Sequence, residues 1–249
     1  MHDVVSSTEI RTYISPTFPG TIIVKPETAS TNTDARQLAA EKANPYTTVI
    51  AERQTAGRGR GKTKTFYSPR GTGIYLSILL PCTSENILKI TPAISVAVCQ
   101  TIESFADINP KIKWVNDILI QGKKVCGILC ESIPGTGIAV AGIGINFSTT
   151  EFPEELTAIA GPVFVNPAVT RNEFIGTLLN RIFKLDYDQC IPEYRKRSCV
   201  IGESIRYLET NVWHDAVAID INENGGLIIL ENNRKKVLVS GEITLRMSD

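Results

Sequence analysis

The chain has 249 residues, 43% hydrophobic and 21% charged, and its 26 basic residues balance its 26 acidic ones. This composition is typical of a globular protein with an apolar core, and the neutral balance argues against general binding to nucleic acid or membranes. The N-terminus does not have the pattern of a signal peptide, and no apolar stretch approaches the ~20 residues of a membrane helix. The six scattered cysteines are typical of reduced thiols in a cytosolic protein. With only two histidines, a histidine base or histidine-rich metal site is not expected.

Hydrophobic periodicity predicts mixed helices and strands in the first hundred residues. Residues 1–20 are expected to form an edge segment or a short tail. The cluster Ser30-Thr31-Asn32 is typical of a turn and helix cap. The predicted elements are strands at Thr21–Lys25, Thr47–Arg53 and Ile74–Leu80, and helices at Asn32–Ala43 and from Thr91-Pro92 onward.

A series of hairpins and a long helix are predicted next. The hairpin strands are Lys111–Trp114, Ile118–Gln121, Val125–Glu131 and Ile138–Phe147, and the helix is Arg171–Asp186. From Gly202 onward, short strands and turn residues suit a small β-barrel. The predicted class is α+β with a mixed, largely antiparallel sheet and packed helices. The predicted division is a main domain at residues 1–200 and a small domain at residues 201–249.

A glycine-rich, cationic loop separates two of these strands. Between positions 52 and 70 the only acidic residue is Glu52, and the basic residues are Arg53, Arg58, Arg60, Lys62, Lys64 and Arg70. Alternating glycines at 57, 59 and 61 let the backbone present N–H groups to an anion, and arginine offers planar donors for phosphate or carboxylate. Residues 56–63 nearly fit a nucleotide-binding P-loop, but the residues after them favour turns over the helix that a P-loop requires.

Four stretches in this order resemble biotin protein ligases. They are Ser30-Thr31-Asn32, Gln54–Arg60, Lys113–Asp117 with Lys124–Gly127, and Gly142–Asn146. The C-terminal Gly241–Arg246 is similar to the end of the small barrel in that family. The resemblance spans Thr21 to Arg246 and implies a catalytic core like that of class II aminoacyl-tRNA synthetases, followed by an SH3-like β-barrel.

The resemblance also implies an activity. Enzymes of this family join biotin to ATP as biotinyl-5′-adenylate, with Mg²⁺ accompanying ATP, and then pass biotin to a lysine of a biotin carboxyl carrier protein domain. A carboxylate is already a nucleophile at pH 7, so the site needs fixed cations and backbone donors more than a histidine base. Because residues 1–20 are too few for a DNA-binding domain, we expect a monofunctional cytoplasmic ligase that does not bind DNA. Members are often homodimers, which leaves the oligomeric state open.

The resemblance assigns roles residue by residue. Lys124 would bridge the biotin carboxyl oxygen and the α-phosphate, Asp117 would serve Mg²⁺-ATP or the incoming lysine, and Arg60 completes the implied catalytic set. The implied biotin site comprises Ser30, Thr31, Asn32, Gln54, Gly57, Arg58, Arg60, Lys124, Gly127 and Gly142. The implied nucleotide site comprises Arg58, Arg60, Phe66, Lys113, Asn116 and Asn146. No protein-held metal is implied.

Simpler interpretations of the same residues stay open. Ser30 and Thr31 could be a plain helix cap, Lys124 an exposed hairpin lysine, Asp117 part of an Asn-Asp turn, and Trp114 a core residue. Lipoate ligases share the core fold, and a nucleic-acid-binding module could use the basic loop.

The chain departs from the family pattern at four points. Phe66 stands near the usual tryptophan that packs on adenine, and Val115 replaces a proline. Gly73 stands where many relatives have asparagine, which leaves one nucleotide contact unassigned. The arginine expected shortly after the loop is missing, with Lys62 or Lys64 as stand-ins.

Overall fold

The computed structural model describes residues 3–61 and 64–245. Lys62, one predicted stand-in for the missing arginine, and Arg246, where the resemblance ends, lie outside this range. The helices in it are α1 (Ser7–Thr12), α2 (Thr31–Ala40), α3 (Ile90–Glu103), α4 (Glu154–Thr157), α5 (Arg171–Phe183) and α6 (Tyr187–Arg197).

A mixed, mostly antiparallel sheet forms the body of the protein. Its strands are β1 (Ile22–Lys25), β2 (Thr48–Ala51), β3 (Ile74–Pro81), β4 (Lys111–Lys113), β5 (Asp117–Ile120), β6 (Lys123–Ile133) and β7 (Ile138–Ile145). Their order across the sheet is β1-β2-β3-β7-β6-β5-β4, and only β1 and β2 pair in parallel. The expected α+β class with a largely antiparallel sheet is therefore confirmed.

The two faces of this sheet differ, because side chains alternate along each strand. On β3 and β7, Leu76, Ile78, Ala141 and Ile143 belong to the main apolar core, which includes the buried helix α3. The intervening positions face the other side, where α2 packs on β2, β3 and β7. We call this second side the cavity face, because its polar and glycine positions line the site described below.

The remaining strands form a second, antiparallel sheet. They are β8 (Ser204–Glu209), β9 (Val212–Ile221), β10 (Leu227–Glu231), β11 (Arg234–Leu238) and β12 (Ile243–Leu245), in the order β11-β10-β9-β8-β12. Within the described residues β11 and β12 are edges, so the sheet is open and the predicted SH3-like barrel is not confirmed. The apolar core continues from one sheet into the other, and the indole of Trp114 donates to Gly225 O at 2.9 Å.

The N-terminal segment is more than the expected edge or tail. Residues Ser7–Thr12 form α1, which packs on α5 with Ile10 fully buried. A buried guanidinium anchors the preceding residues: Arg171 pairs with Asp3 at 2.9 Å and with Glu52 at 2.9 Å. Local sequence could not predict this helix, because these long-range contacts stabilise it.

The predicted long helix is interrupted. It ends at Phe183, and Asp186 then caps a separate helix, α6, by accepting hydrogen bonds from Asp188 N and Gln189 N. Helix α6 contains Pro192, a residue that normally argues against a helix, so this element was not predicted.

Candidate active site

One cavity of about 770 Å³ opens over the cavity face and brings the four motifs together. Of the residues assigned from the sequence, those that line it are Ser30, Thr31, Asn32, Gln54, Arg58, Arg60, Phe66, Lys113, Asn116, Asp117, Lys124, Gly127, Gly142 and Asn146. Gly57 does not line the cavity. A Cβ there would lie 2.4 Å from Phe66 O, so this glycine permits the close return of the loop.

The floor of the cavity is bare backbone. Gly127 of β6 and Gly144 of β7 are paired directly across the sheet, with Asp117 of β5 and Tyr75 of β3 continuing the row on either side. A Cβ on Gly144 would lie 2.7 Å from the ring of Phe66. The paired glycines therefore create the depth in which ring and ligand atoms can lie against the strands.

Short polar side chains line one part of the cavity. Thr31 N donates to Gln54 Oε1 at 2.9 Å, and Ser77 Oγ lies 2.8 Å from Thr31 Oγ1 and 2.6 Å from Asn32 Oδ1. Ser30 occupies the N-cap position of α2 but makes no side-chain cap hydrogen bond. Ser30 is buried and is one of the residues that line the cavity, which together with the missing cap hydrogen bond disfavours the plain helix-cap interpretation.

The hairpin across Gly122 brings the predicted lysine and aspartate into contact. Lys124 Nζ lies 2.7 Å from Asp117 Oδ1, and both side chains are partly buried. The backbone of Lys124 is held from both sides: its N–H donates to Ile159 O at 2.8 Å, and its carbonyl accepts from Asn146 Nδ2 at 3.2 Å. This support separates Lys124 from an ordinary exposed hairpin lysine.

Two further cations of the cavity have no carboxylate partner among the described residues. Arg60 and Lys113 make no ion pair with any residue that the structure describes, although both line the cavity. Burial lowers the pKa of Arg60, while the nearby Tyr194 and Asp117 act in the opposite direction. Unpaired cations in a partly desolvated site attract anions more strongly than cations in open water do.

The basic loop folds back as a short hairpin over the cavity. Gly59 N donates to Lys64 O at 2.8 Å, and Phe66 N donates to Gly57 O at 2.9 Å. Most of its cations are neutralised by protein carboxylates, in the pairs Arg53–Glu27, Arg58–Glu131, Lys64–Glu242 and Arg70–Glu27. The loop is therefore not a free cationic surface, which disfavours the nucleic-acid-binding alternative.

One departure from the family pattern has a local explanation. At Gly73, which stands in place of an asparagine, a Cβ would lie 2.0 Å from Tyr75 Oη. The tyrosine hydroxyl fills that space and donates to Pro69 O at 2.9 Å. Burial raises the pKa of Tyr75, so the hydroxyl stays protonated as a donor.

Several residues of the site were not predicted. Phe152, Leu156, Ile159 and Ala160 add an apolar wall beside Lys124, and residues 240–244 border the cavity from the second sheet. No local motif marks either segment. Ser77 could have been noticed, since a serine inside the apolar strand β3 must find a buried partner.

The described residues contain no group of three or more histidine, cysteine or acidic side chains that could hold a metal ion. None of their helices is long and apolar enough to cross a bilayer. All six cysteines are free thiols.

Comparisons with known proteins agree with this geometry. Residues 24–148 match the Biotin/lipoate A/B protein ligase family. The bifunctional ligase/repressor BirA of Bacillus subtilis is 31% identical over 241 residues, covering 87% of this chain and 71% of that protein. The biotin–[acetyl-CoA-carboxylase] ligase of Mycobacterium tuberculosis is 30% identical, covering 87% of this chain and 86% of that protein. The chain belongs to the Biotin/lipoate A/B protein ligase family.

The solved structures lead to the same family. The biotin protein ligase of Aquifex aeolicus in complex with biotin and ATP matches with a TM-score of 0.78 and 28% identity, covering 92% of this chain and 99% of that one. The resemblance to biotin protein ligases that the four motifs indicated is therefore confirmed.

Proposed function

We propose that this chain is an ATP-dependent biotin protein ligase that forms biotinyl-5′-AMP and transfers biotin to a lysine of a biotin carboxyl carrier protein domain. One observation carries the proposal. A single cavity joins neutral hydrogen-bonding groups, which suit a ureido ring, to the cations Arg60, Lys113 and Lys124, which suit a carboxylate beside a triphosphate. The relatives that match over most of the chain include a biotin–[acetyl-CoA-carboxylase] ligase and a structure with biotin and ATP bound.

In the first half-reaction a biotin carboxylate oxygen attacks the α-phosphorus, and the bond to pyrophosphate breaks. Negative charge builds where the carboxyl and phosphoryl oxygens meet, and in this proposal Lys124 and Arg60 neutralise it. In the second half-reaction the amine of the carrier lysine attacks the biotinyl carbonyl carbon and AMP leaves. Asp117, beside Lys124, would hold the Mg²⁺ that accompanies ATP or would accept the proton that the amine of the carrier lysine loses.

The glycine floor supports this use of the site. Because Gly127 and Gly144 carry no side chain, the ring of Phe66 can lie close to β6 and β7 and cover the nucleotide end as an aromatic surface. The missing side chain of Gly142 leaves room for the amide of Asn32 at the biotin end. Asn116 and Asn146 are also assigned to the nucleotide. Both amides donate to backbone oxygens of β6, Asn116 to Ile128 O at 2.8 Å and Asn146 to Lys124 O at 3.2 Å, which keeps that wall rigid.

Other parts of the assignment are inferred from the family. We infer that Mg²⁺ enters with ATP and that the acceptor is the carrier domain of a biotin-dependent carboxylase. A homodimer, the absence of DNA binding, a cytoplasmic location, an SH3-like barrel and a domain boundary near residue 200 stay predictions. The free cysteines support a reducing compartment.

ATP–pyrophosphate exchange tests the proposal. The wild-type protein and Lys124→Ala are assayed with biotin, with lipoate and with neither acid. We expect exchange that requires biotin and falls by about 10²–10³-fold in Lys124→Ala, the loss typical of removing one preorganised electrostatic group. Exchange with lipoate alone would identify a lipoate-type ligase, and no exchange with either acid would refute the adenylation reaction.

A further inference from the structure

Glu131 is a carboxylate of the cavity face to which no role has been assigned. It lies on β6 beyond Gly127 and does not line the cavity. Its two oxygens accept one hydrogen bond each from Arg58 Nη1 and Nη2, both at 3.0 Å. This paired geometry is the strongest and most directional contact that an arginine makes with a carboxylate.

The same carboxylate is tied to helix α2. Arg36 Nη1 lies 3.4 Å from Glu131 Oε1, and Asn32 Nδ2 donates to Oε2 at 3.3 Å. Asn32 is in turn held by Ser77 through its Oδ1. Glu131 therefore connects the basic loop to the helix and strand that carry the polar part of the cavity.

The loop needs such a connection. Among its described residues two backbone hydrogen bonds close the hairpin, Gly59 to Lys64 and Phe66 to Gly57. Its alternating glycines lose much conformational entropy when they are fixed. Arg58 is two residues before Arg60. A fixed Arg58 side chain therefore restricts where the guanidinium of Arg60 can lie.

We infer that Glu131 is a positioning residue, which acts through Arg58 to hold the loop where Arg60 reaches the substrate carboxylate. This inference rests on the proposed ligase function and deepens it. Because Glu131 does not line the cavity, its loss should weaken substrate binding while leaving Lys124 and Asp117 in place.

The test is Glu131→Gln, which removes the charge and keeps the size of the side chain. In biotin-dependent ATP–pyrophosphate exchange we expect the KM for biotin to rise about 5- to 10-fold, with kcat within twofold of wild type, as for loss of a partly exposed bidentate pair. The matched control is Glu209→Gln, which removes the partner of Lys236 in the second sheet, away from the loop and the cavity, and should leave both constants within twofold. An unchanged KM in Glu131→Gln, or a fall in kcat without a rise in KM, would overturn the inference.

A double-mutant cycle tests the route through Arg58. The double variant Arg58→Gln/Glu131→Gln should raise the KM for biotin no more than Arg58→Gln alone. Additive effects would show that Glu131 acts by another route and would overturn the positioning role.

Limited trypsin digestion tests the anchoring of the loop by Glu131 independently of the proposed ligase activity. Cleavage within the loop of Glu131→Gln should be about 5- to 10-fold faster than in Glu209→Gln, without any substrate present, because the open population of the loop increases. Equal cleavage rates would overturn the anchoring of the loop by Glu131. Absence of biotin-dependent exchange in the wild-type protein would instead refute the ligase function.

Discussion

The close packing of Gly142 against the side chain of Asn32 gives a quantitative prediction. An alanine at Gly142 would place its Cβ 1.8 Å from Asn32 Oδ1, far inside van der Waals contact. Asn32 cannot easily move, because Oδ1 accepts from Ser77 at 2.6 Å and Nδ2 donates to Leu129 O at 3.3 Å. Gly142→Ala must therefore shift a strand or expel the amide.

The magnitude follows from these contacts. Overpacking costs about 1–3 kcal/mol, and each buried hydrogen bond lost adds about 1 kcal/mol, so we expect the free energy of unfolding to fall by about 2–4 kcal/mol. With a urea m-value of about 3 kcal/mol/M, the midpoint should fall by about 1 M. The KM for biotin should rise as well, because the expelled amide of Asn32 belongs to the proposed biotin site.

Urea denaturation followed by tryptophan fluorescence measures the effect. The control is Gly161→Ala, whose Cβ would lie 3.2 Å from Cβ and Cδ of the exposed Lys123, a much milder contact that should cost less than about 1 kcal/mol. Adding Asn32→Ala to Gly142→Ala removes the clashing atoms, so the double variant should be less destabilised than the sum of the two single variants. Additivity, or a midpoint shift of Gly142→Ala equal to that of the control, would refute the steric argument.

Three further predictions concern charges. Asp117→Asn removes the partner of Lys124 and should slow biotin-dependent exchange about 10- to 100-fold. Asp188→Asn removes the partner of Lys89 outside the cavity and should not slow it, so equal rates in the two variants would contradict the catalytic role of Asp117. Arg171→Met leaves buried acids unpaired and should lower the free energy of unfolding, measured in urea, by about 3–5 kcal/mol. The exposed Arg53→Met should lower it by less than about 1 kcal/mol, and similar losses in the two variants would contradict the role of burial. Burial raises the pKa of Cys130 to about 12, so the unfolded chain releases this thiol proton first as pH rises. Stability should therefore fall between about pH 9 and pH 12, and a flat urea midpoint over that window would contradict this.

The sequence was sufficient to predict most elements of the main sheet. The strands β3, β6 and β7 are long apolar runs with clear turn residues between them, so their bounds were predicted within a few residues. Helix α6 was missed because of Pro192, and α1 because its stability comes from the long-range pair of Asp3 with Arg171. Local patterns contain no information about such contacts.

Some residues of the candidate site could likewise be predicted from the sequence, and others could not. The lysine, aspartate and glycine positions were predicted, because the family motifs contain them. Glu131 was not, although a carboxylate in an otherwise apolar stretch of β6 indicates a partner from elsewhere in the fold. The border at residues 240–244 comes from the second sheet, and no motif in that segment predicts its approach.

The cavity has one wall from each sheet, and this has a thermodynamic consequence. Lys64 of the loop pairs with Glu242 at 2.5 Å, and Trp114, in the turn between β4 and β5, donates to Gly225 O between β9 and β10. A ligand that binds only the folded arrangement stabilises every segment whose opening would destroy the site. Amide hydrogen exchange in β9 and β10 should therefore slow when substrate binds, although neither strand needs to touch it.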